Sequence, residues 1–346
     1  MENKKRFEQA ISCVSPKVRS LLLNLPQEIK ENTQEIRLRS DRPITIVGNY
    51  GCRFINQTGR VSYICTQNSA IISSGEITDT FNRICGYSVH SNQNDILNGF
   101  ITLEGGHRAG ICGTGVCESD KIVAVRDVSS INLRIAGEHF GVADEIISKL
   151  YSNGLKSVII AGAPCTGKTT ILRDMSRQIS GGILENYYKT VIVDERKEIA
   201  AVKGGKPQND VGINCDILDM YPKGQGILTA IRSMSPEIII CDEIGAMDDA
   251  LAIESGVNSG VKFAVSVHAS SYGEIKKRPQ VKKLIDIGAF DYIVLLKSGT
   301  KPCVISQFYE VGEFKNEMHS NNVYYDFLYN SGQVFKPKII SKNKAP

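Results

Sequence analysis

The sequence lacks long apolar runs. No stretch of about eighteen apolar residues, the length needed to cross a bilayer, occurs in it. Residues 1–10 are polar and charged, whereas a secretory signal needs an apolar core. We therefore expect a cytoplasmic protein. An internal repeat of solenoid period is also missing, so a repeat architecture is not expected.

The net charge is low, and Cys-x-x-Cys pairs are absent. The formal net charge is only +4 over 346 residues, which by itself requires neither nucleic acid nor an anionic membrane as a partner. The 10 cysteines are scattered, and none forms the Cys-x-x-Cys pair of a zinc ribbon. We expect them to be reduced and mostly buried as small apolar residues.

The composition is that of a globular protein, with 42% apolar and 23% charged residues. The length suggests about two domains. Because the apolar pattern changes after Gly141, we predict a smaller mixed α/β domain over residues 1–138 and a second domain over residues 139–312. Residues 313–346 form a polar, basic C-terminal tail that we expect to be partly disordered.

The start of the first domain has a helical pattern. Apolar residues recur at helical intervals from Phe7 to Leu25, with a new start at Ser15-Pro16 and an end at Pro26. Over residues 35–55 the pattern shortens and predicts strands.

The rest of this domain mixes both kinds of pattern. A helix is predicted around residues 69–86. The glycine-rich segment 99–113 predicts a hairpin around Gly105-Gly106. Residues 123–135 predict a further strand pair.

The second domain alternates nearly unbroken apolar runs with helix-period runs, which is typical of a mostly parallel sheet covered on both faces. Residues 171–179 and 251–257 predict amphipathic helices. The predicted strands are Ser157–Ala161, Thr190–Asp194, Glu237–Asp242, Lys262–His268 and Asp291–Leu296.

A glycine-rich segment after the first of these strands has the Walker A spacing of a P-loop. Glycines let the backbone point its N–H groups at phosphate, Lys168 would reach the β- and γ-phosphates, and the Thr169 hydroxyl would hold Mg²⁺. Because a strand precedes it and a helix follows it, a chance glycine turn is the weaker interpretation. The sequence thus predicts ATP and Mg²⁺ as ligands. The expected nucleotide contacts are Gly162, Ala163, Pro164, Cys165, Thr166, Gly167, Lys168, Thr169 and Thr170.

Asp242 and Glu243 follow an apolar strand, at the sheet edge where ligands of open α/β sheets bind. Asp242 suits the Mg²⁺ shell, and Glu243 suits polarisation of the attacking water. Without a P-loop, an ordinary solvated acidic turn would be the better interpretation. With the P-loop, the pair predicts ATP hydrolysis.

Asp194 and Glu195 form a second acidic strand end. Either Asp194 and Glu195 share in positioning metal or water, or Glu195 merely pairs with Arg196 on the surface. Both interpretations stay open at this point. His268 ends a later strand at the same edge, which favours a catalytic role in sensing the γ-phosphate or water over a purely structural role.

These residues resemble the ATPases of type II and type IV secretion and of pilus assembly and retraction, over most of residues 155–296. That family has a Walker A motif, an acidic Asp box, an arginine-proline segment before Walker B, and a His box after it. The resemblance implies an α/β fold with a RecA-like P-loop ATPase core. The matching segments here are Gly162–Thr169, Asp194–Arg196, Ile231–Glu237 and His268.

A closer similarity, to the sporulation branch of that family, covers nearly the whole chain. It is carried by EIRLR at residues 35–39, GFITLEGGHR at 99–108, QNDVG at 208–212 and RSMSP at 232–236. It implies a homo-hexamer at the cytoplasmic face of a membrane, where ATP hydrolysis energises a secretion-like channel between mother cell and forespore. One departure is Asp242, since many secretion ATPases have glycine there, and this makes the Mg²⁺ site more like that of RecA.

In this family the N-terminal domain supplies arginines to the nucleotide between subunits, because the charge that develops on the γ-phosphate needs cations. The resemblance makes Arg108, Arg126 and Arg134 candidates for nucleotide binding and Arg232 a candidate for catalysis. Each is equally well explained as a structural ion-pair partner, and the sequence does not single one out.

Two other functions stay open. A nucleic-acid-stimulated RecA-like translocase would share this core, but the sequence has no surface of interleaved aromatic and basic residues, so nucleic acid is not expected as a partner. A non-hydrolysing scaffold would bind ATP without releasing phosphate, and the intact Glu243 argues against it.

Overall fold

A computed structural model of the protein describes residues 2–182, 186–299 and 301–312. Each half of the chain contains one large sheet of 7 strands. The polar tail predicted for residues 313–346 lies outside the described residues. Among the residues that the structure describes, no helix is long and apolar enough to cross a membrane.

The N-terminal half is built from short helices and an antiparallel sheet. Its helices are α1 (Glu2–Ala10), α2 (Pro16–Leu23), α3 (Gln27–Asn32), α4 (Ser74–Ile84) and α5 (Gln93–Leu97). Its strands are β1 (Thr33–Arg39), β2 (Arg42–Pro43), β3 (Thr45–Gly48), β4 (Gly51–Ile55), β5 (Val61–Ser62), β6 (Ile71–Ile72), β7 (Phe100–Thr102), β8 (Arg108–Glu118) and β9 (Lys121–Arg134). The sheet has the order β5-β4-β3-β1-β9-β8-β7, and β2 pairs separately with β6.

The helical pattern at the start of the chain is confirmed. Phe7, Ile11, Val18 and Leu22 are buried in the N-terminal core, which explains their spacing. The chain restarts with Pro16 as the first residue of α2, a position that needs no backbone N–H. The sequence pattern did not reveal α3, which begins directly after the proline that ends this segment.

The hairpin around Gly105-Gly106 is also confirmed, since β7 pairs with β8 across it. The helix predicted around residues 69–86 is present as α4, but it begins later than expected, at Ser74, because Ser73 caps it. Ser73 Oγ accepts the Glu76 amide, and the Glu76 carboxylate accepts the Ser73 amide. One further prediction was wrong. The expected strand pair over residues 123–135 is the single strand β9, in which a bulge with Asp127 at a φ of +49° lets pairing continue.

The C-terminal half has the predicted mostly parallel sheet. Its helices are α6 (Asp144–Leu150), α7 (Lys168–Ser180), α8 (Lys223–Ser233), α9 (Met247–Asn258), α10 (Tyr272–Lys276) and α11 (Pro279–Asp286). Its strands are β10 (Val158–Gly162), β11 (Thr190–Asp194), β12 (Cys215–Asp219), β13 (Ile238–Cys241), β14 (Lys262–His268), β15 (Tyr292–Leu296) and β16 (Ile305–Glu310). The order is β12-β11-β13-β14-β10-β15-β16, and β16 alone among these strands runs antiparallel to its neighbour.

Parallel pairing brings the polar strand ends to one edge of this sheet. Gly162 at the end of β10 pairs with His268 at the end of β14. Asp194 ends β11, and Asp242 directly follows the neighbouring strand β13. All residues of β10, β11 and β13 are buried, so the apolar body of the sheet fixes these ends in place.

The loop after β11 joins the two halves of the molecule. Lys197 Nζ lies 3.1 Å from Asp95 of α5, and the Lys197 carbonyl oxygen accepts a hydrogen bond from Arg108 Nη2 at 2.8 Å. Further along, Gln208 Oε1 accepts the Gly105 amide at 2.9 Å. The N-terminal sheet is therefore held against a loop that starts at the polar edge of the C-terminal sheet.

The expectation that most cysteines are buried was wrong. Only Cys85 and Cys241 are buried in the described structure. Cys112 and Cys117 are exposed because β8 extends past its pairing with β7, and the outer part of the β8–β9 hairpin is not covered. The apolar character of cysteine did not determine its burial, which depends on whether another element covers the strand.

Helix α9 packs so closely on β14 that Gly256 has no room for a side chain, since a Cβ there would overlap the Phe263 ring. We expect Gly256→Ala to lower the free energy of unfolding by about 1–3 kcal/mol, the usual cost of overpacking. In the matched variant Gly273→Ala, the new Cβ meets only Ser271 Oγ at 4.0 Å, so stability should be kept or rise slightly. Urea denaturation measures both, and equal effects would contradict the close packing.

Candidate nucleotide-binding site

Glycines shape the turn between β10 and α7. Gly167 has a φ of +92°, a conformation that side chains disfavour. A Cβ on Gly162 would press on Thr166 Oγ1, and one on Gly167 would overlap Cys303 Sγ. Thr166 Oγ1 donates to the Ala163 carbonyl oxygen at 2.8 Å, which closes the turn. Such a turn at a helix N-terminus directs backbone amides at an anion.

The structure brings together the whole predicted Walker A segment. Ala163, Pro164 and Cys165 lie in the turn, and Thr170 lies in the first turn of α7. Cys165 has a φ of +61°, so this turn contains a strained residue that is not glycine.

Lys168 begins α7 and is only 6% exposed. Its Nζ donates to the carbonyl oxygens of Gly162 and Ala163 at 3.0 and 2.9 Å, and lies 3.0 Å from His268 Nδ1. Burial lowers the pKa of Lys168, and nearby carboxylates oppose that shift. The ammonium is thus held inside the curve of the turn.

Thr169 and Asp242 are in direct contact. The Thr169 hydroxyl donates to Asp242 Oδ2 at 2.6 Å. The other carboxylate oxygen, Oδ1, accepts from the hydroxyl of Ser266, a fully buried residue of β14. A hydroxyl and a carboxylate at the end of a P-loop are the hard oxygen donors that Mg²⁺ prefers. This pair therefore fits a magnesium site.

Four residues contact Glu243. Its Oε2 accepts from Arg196 Nη1 at 2.8 Å, and its Oε1 lies 3.5 Å from His268 Nε2. Its backbone N–H donates to Ser266 Oγ at 2.9 Å, and its carbonyl oxygen accepts from Lys223 Nζ at 2.6 Å. The carboxylate is about a third exposed, so water can reach it.

His268 connects Lys168 to Glu243. An ammonium can only donate, so the contact with Lys168 makes His268 Nδ1 the acceptor. The ring proton then lies on Nε2, which faces the Glu243 carboxylate. Lys168, His268 and Glu243 form a continuous polar chain along the sheet edge.

Asp194 lies at this edge, but its carboxylate accepts hydrogen bonds from the loop that follows it. The side chain is 1% exposed and accepts the backbone amides of Glu198, Ile199 and Ala200 at 2.7 to 3.3 Å. As a metal ligand Asp194 would have to give up these amides, and a buried amide without a partner is costly. The geometry favours an anchor for the loop after β11 over the predicted metal site.

Glu195 and Arg196 do not pair with each other. Glu195 Oε2 lies 3.4 Å from Lys223 Nζ, while Arg196 pairs with Glu243. The surface ion pair considered for the Asp box is therefore replaced by two contacts, and the cations in both, Lys223 and Arg196, contact Glu243.

Two of the predicted arginines line a cleft of about 320 Å³ beside Thr169. Arg108 is anchored there by the Lys197 carbonyl oxygen, and Arg134 lies across the same cleft with 67% of its side chain exposed. The cleft also contains Glu198, whose pKa is raised by burial and lowered in part by Arg108. Its cationic wall suits the phosphate groups of a nucleotide.

The other two arginines lie elsewhere. Arg126 is 71% exposed on the β8–β9 hairpin, beside Asp127. Arg232 is exposed in the last turn of α8 and, in the part of the chain that is described, forms no ion pair or hydrogen bond with the P-loop. Neither lines the cleft beside Thr169.

Sequence reasoning missed Arg173, Ser266 and Lys223. Arg173 follows Thr169 by four residues on α7, lines the same cleft, and donates to the Glu198 and Ile199 carbonyl oxygens. Its helical spacing could have revealed it. Ser266 precedes His268 by two residues and so shares its face of the strand, a second usable signal. No local pattern marks Lys223.

Comparisons with known proteins give the relatives of the chain. The family profile described as sporulation stage III, protein AA matches residues 3–314. Stage III sporulation protein AA of Bacillus subtilis (strain 168) is 35% identical over 294 residues, which cover 85% of this chain and 92% of the relative.

Solved structures share the fold. The ATPase DotB of Legionella pneumophila matches with a TM-score of 0.52 and 17% identity, covering 88% of this chain and 85% of DotB. The pilus retraction motor PilT, in a structure with bound ADP, matches with a TM-score of 0.56 and 13% identity, covering 90% and 89%. The RecA-like fold expected from the sequence is confirmed.

If Asp194 anchors the loop, its charge is needed for stability. We expect Asp194→Asn to lower the free energy of unfolding by about 2–4 kcal/mol, because an amide group cannot accept all of these N–H donors. Asp216→Asn, at an exposed position of the neighbouring strand β12, should change it by less than about 0.5 kcal/mol. Thermal unfolding without Mg²⁺ checks this. Unchanged stability combined with weaker Mg²⁺ binding would support the metal ligand instead.

Proposed function

Because the chain belongs to the sporulation stage III, protein AA family, we propose that it is an ATP-hydrolysing motor of the secretion-ATPase type. The observation that carries the proposal is the meeting of Lys168, Thr169, Asp242, Glu243 and His268 at one P-loop. A lysine, a hydroxyl and two carboxylates beside a P-loop are the recurring parts of sites that transfer phosphoryl groups.

ATP binding would use the turn and the helix that follows it. The backbone amides and the N-terminus of α7 favour negative charge, so the phosphates lie there. Lys168 exchanges its bonds with two carbonyl oxygens for bonds with the β- and γ-phosphates. Thr169 and Asp242 would hold Mg²⁺, whose charge offsets that of the phosphates.

Hydrolysis would use Glu243 to polarise the attacking water. Arg196 and His268 orient its two carboxylate oxygens. His268 also contacts Lys168, so the residue that holds the γ-phosphate and the residue that holds the water share one neighbour. Arg108, from the cleft beside Thr169, is the best placed of the candidate arginines to stabilise charge on the γ-phosphate.

We further propose a homo-hexamer at the cytoplasmic face of a membrane, where it energises a sporulation channel. The name of the Bacillus subtilis relative and the fold shared with DotB and PilT support this assignment. Arg126 and Arg232 are exposed, and in a ring they would be free to reach a neighbouring subunit's nucleotide. Native mass measurement should give about six chain masses in the presence of ATP, and a monomer at micromolar concentrations would contradict the ring.

Substitutions at the site separate binding from hydrolysis. Lys168→Ala should abolish phosphate release because the phosphates lose their cation. Glu243→Gln should bind a fluorescent ATP analogue like the unchanged protein, but release phosphate at least about 100-fold more slowly, because an amide is a poor base. Paired binding and phosphate-release assays measure both effects.

The control is Glu254→Gln, the same chemical change on α9, where Glu254 pairs with Lys283 away from the nucleotide site. It should leave the rate unchanged. Undiminished phosphate release by Glu243→Gln would overturn the proposed role of Glu243. Strong stimulation by single-stranded DNA or RNA would favour a nucleic-acid translocase instead.

A further inference from the structure

We propose that Lys223 is a positioning residue that holds the backbone of Glu243 in its hydrolysis-competent conformation. Lys223 is the first residue of α8 and is 8% exposed. Its Nζ donates to the Glu243 carbonyl oxygen at 2.6 Å and lies 3.4 Å from Glu195 Oε2. The inference rests on the proposed ATPase function, because Lys223 is assigned to support Glu243, the residue proposed to polarise the water.

The place of Lys223 in the helix is unfavourable for a lysine. The N-terminus of a helix carries partial positive charge, so a cation is disfavoured there. Burial of the ammonium adds a desolvation cost that only well-placed acceptors offset. The two acceptors present are the Glu243 carbonyl oxygen and the Glu195 carboxylate. A lysine at this position is therefore explained by what it holds rather than by the stability of its own helix.

Glu243 needs such support because its backbone is strained. Its φ is +43°, in the left-handed region that residues with a Cβ disfavour. Conformations of this kind persist where the surroundings over-determine them. Here the N–H is held by Ser266 Oγ at 2.9 Å and the carbonyl oxygen by Lys223. The peptide groups before and after Glu243 are thus each held by a hydrogen bond to a different side chain.

The two supports come from different parts of the site. Ser266 also donates to Asp242, the proposed magnesium ligand, so it links that carboxylate to the Glu243 backbone. Lys223 ties the same backbone to Glu195 at the end of β11. The Asp box then acts on hydrolysis through Lys223, without contacting the reacting atoms itself.

The test is Lys223→Met, which keeps the apolar stem and removes the charge. The rate constant kcat for phosphate release should fall on the order of tenfold to a hundredfold, because a small displacement of a catalytic group has a cost of that size. KM and the affinity for a fluorescent ATP analogue should stay within about twofold, since Lys223 does not contact the P-loop. Ser266→Ala should act in the same direction, and Ser266→Thr, which restores the hydroxyl, should recover most of the rate.

The matched control is Lys30→Met. Lys30 is also 8% exposed, and its Nζ also donates to a carbonyl oxygen at 2.6 Å, that of Leu23, but it lies in the N-terminal half far from the P-loop in sequence. Loss of stability should be similar in the two variants, whereas kcat should fall only for Lys223→Met. An equal fall in kcat for both would reduce Lys223 to a structural role and overturn the inference.

A double-mutant cycle gives the decisive readout. If Lys223 acts only through Glu243, then Lys223→Met should cause no further loss in a Glu243→Gln background, measured by single-turnover phosphate release. A full additional loss there, or an unchanged kcat for Lys223→Met alone, would overturn the inference while leaving the ATPase proposal intact. If Lys223→Met does not fold, Lys223→Gln, whose side chain is uncharged and one atom shorter, replaces it in the same cycle, and an unchanged kcat for that variant would likewise overturn the inference. Absence of ATP binding and turnover in the unchanged protein would instead contradict the proposed function itself.

Discussion

A single buried carboxylate shapes the loop that joins the two halves of this molecule. Asp194 ends β11 and accepts three successive backbone amides of residues 198–200, which turns the following loop back over the sheet edge. The Lys197 carbonyl oxygen on that loop accepts from Arg108, and the Lys197 side chain reaches Asp95. These contacts hold the N-terminal half against the loop, so the cleft beside the P-loop depends on the loop being folded in this way.

The candidate site itself depends on a chain of polar contacts in which the neutral His268 ring lies between a cation and a carboxylate. Lys168, His268, Glu243 and Arg196 contact one another in that order. Each group has its neighbours as partners, so a phosphate that draws Lys168 away changes the surroundings of His268 and, through it, of Glu243. The arrangement gives a physical route by which a bound nucleotide would influence Glu243, the residue that we propose to polarise water.

Periodicity was a good guide where burial is uniform and a poor one where it is not. The strands β10, β11 and β13 were predicted because they are apolar throughout, as expected for strands covered on both faces. Edge strands β12 and β16 were not predicted, since they are only partly buried and their residues alternate less clearly. The break assigned within β9 was wrong because a bulge, not a turn, interrupts its pattern.

What the sequence by itself determined was the P-loop segment, five of the strands along the chain and the residues at their ends, because each of these follows from local spacing and from the shared edge of parallel strands. What only the tertiary structure decided was the partner of each polar group. Asp194 and Asp242 end neighbouring strands in similar sequences, yet one binds its own loop and the other the Thr169 hydroxyl. Lys223 and Glu243 meet across 20 positions of chain. Hydrogen-bond partners depend on how whole elements pack, and no local pattern contains that information.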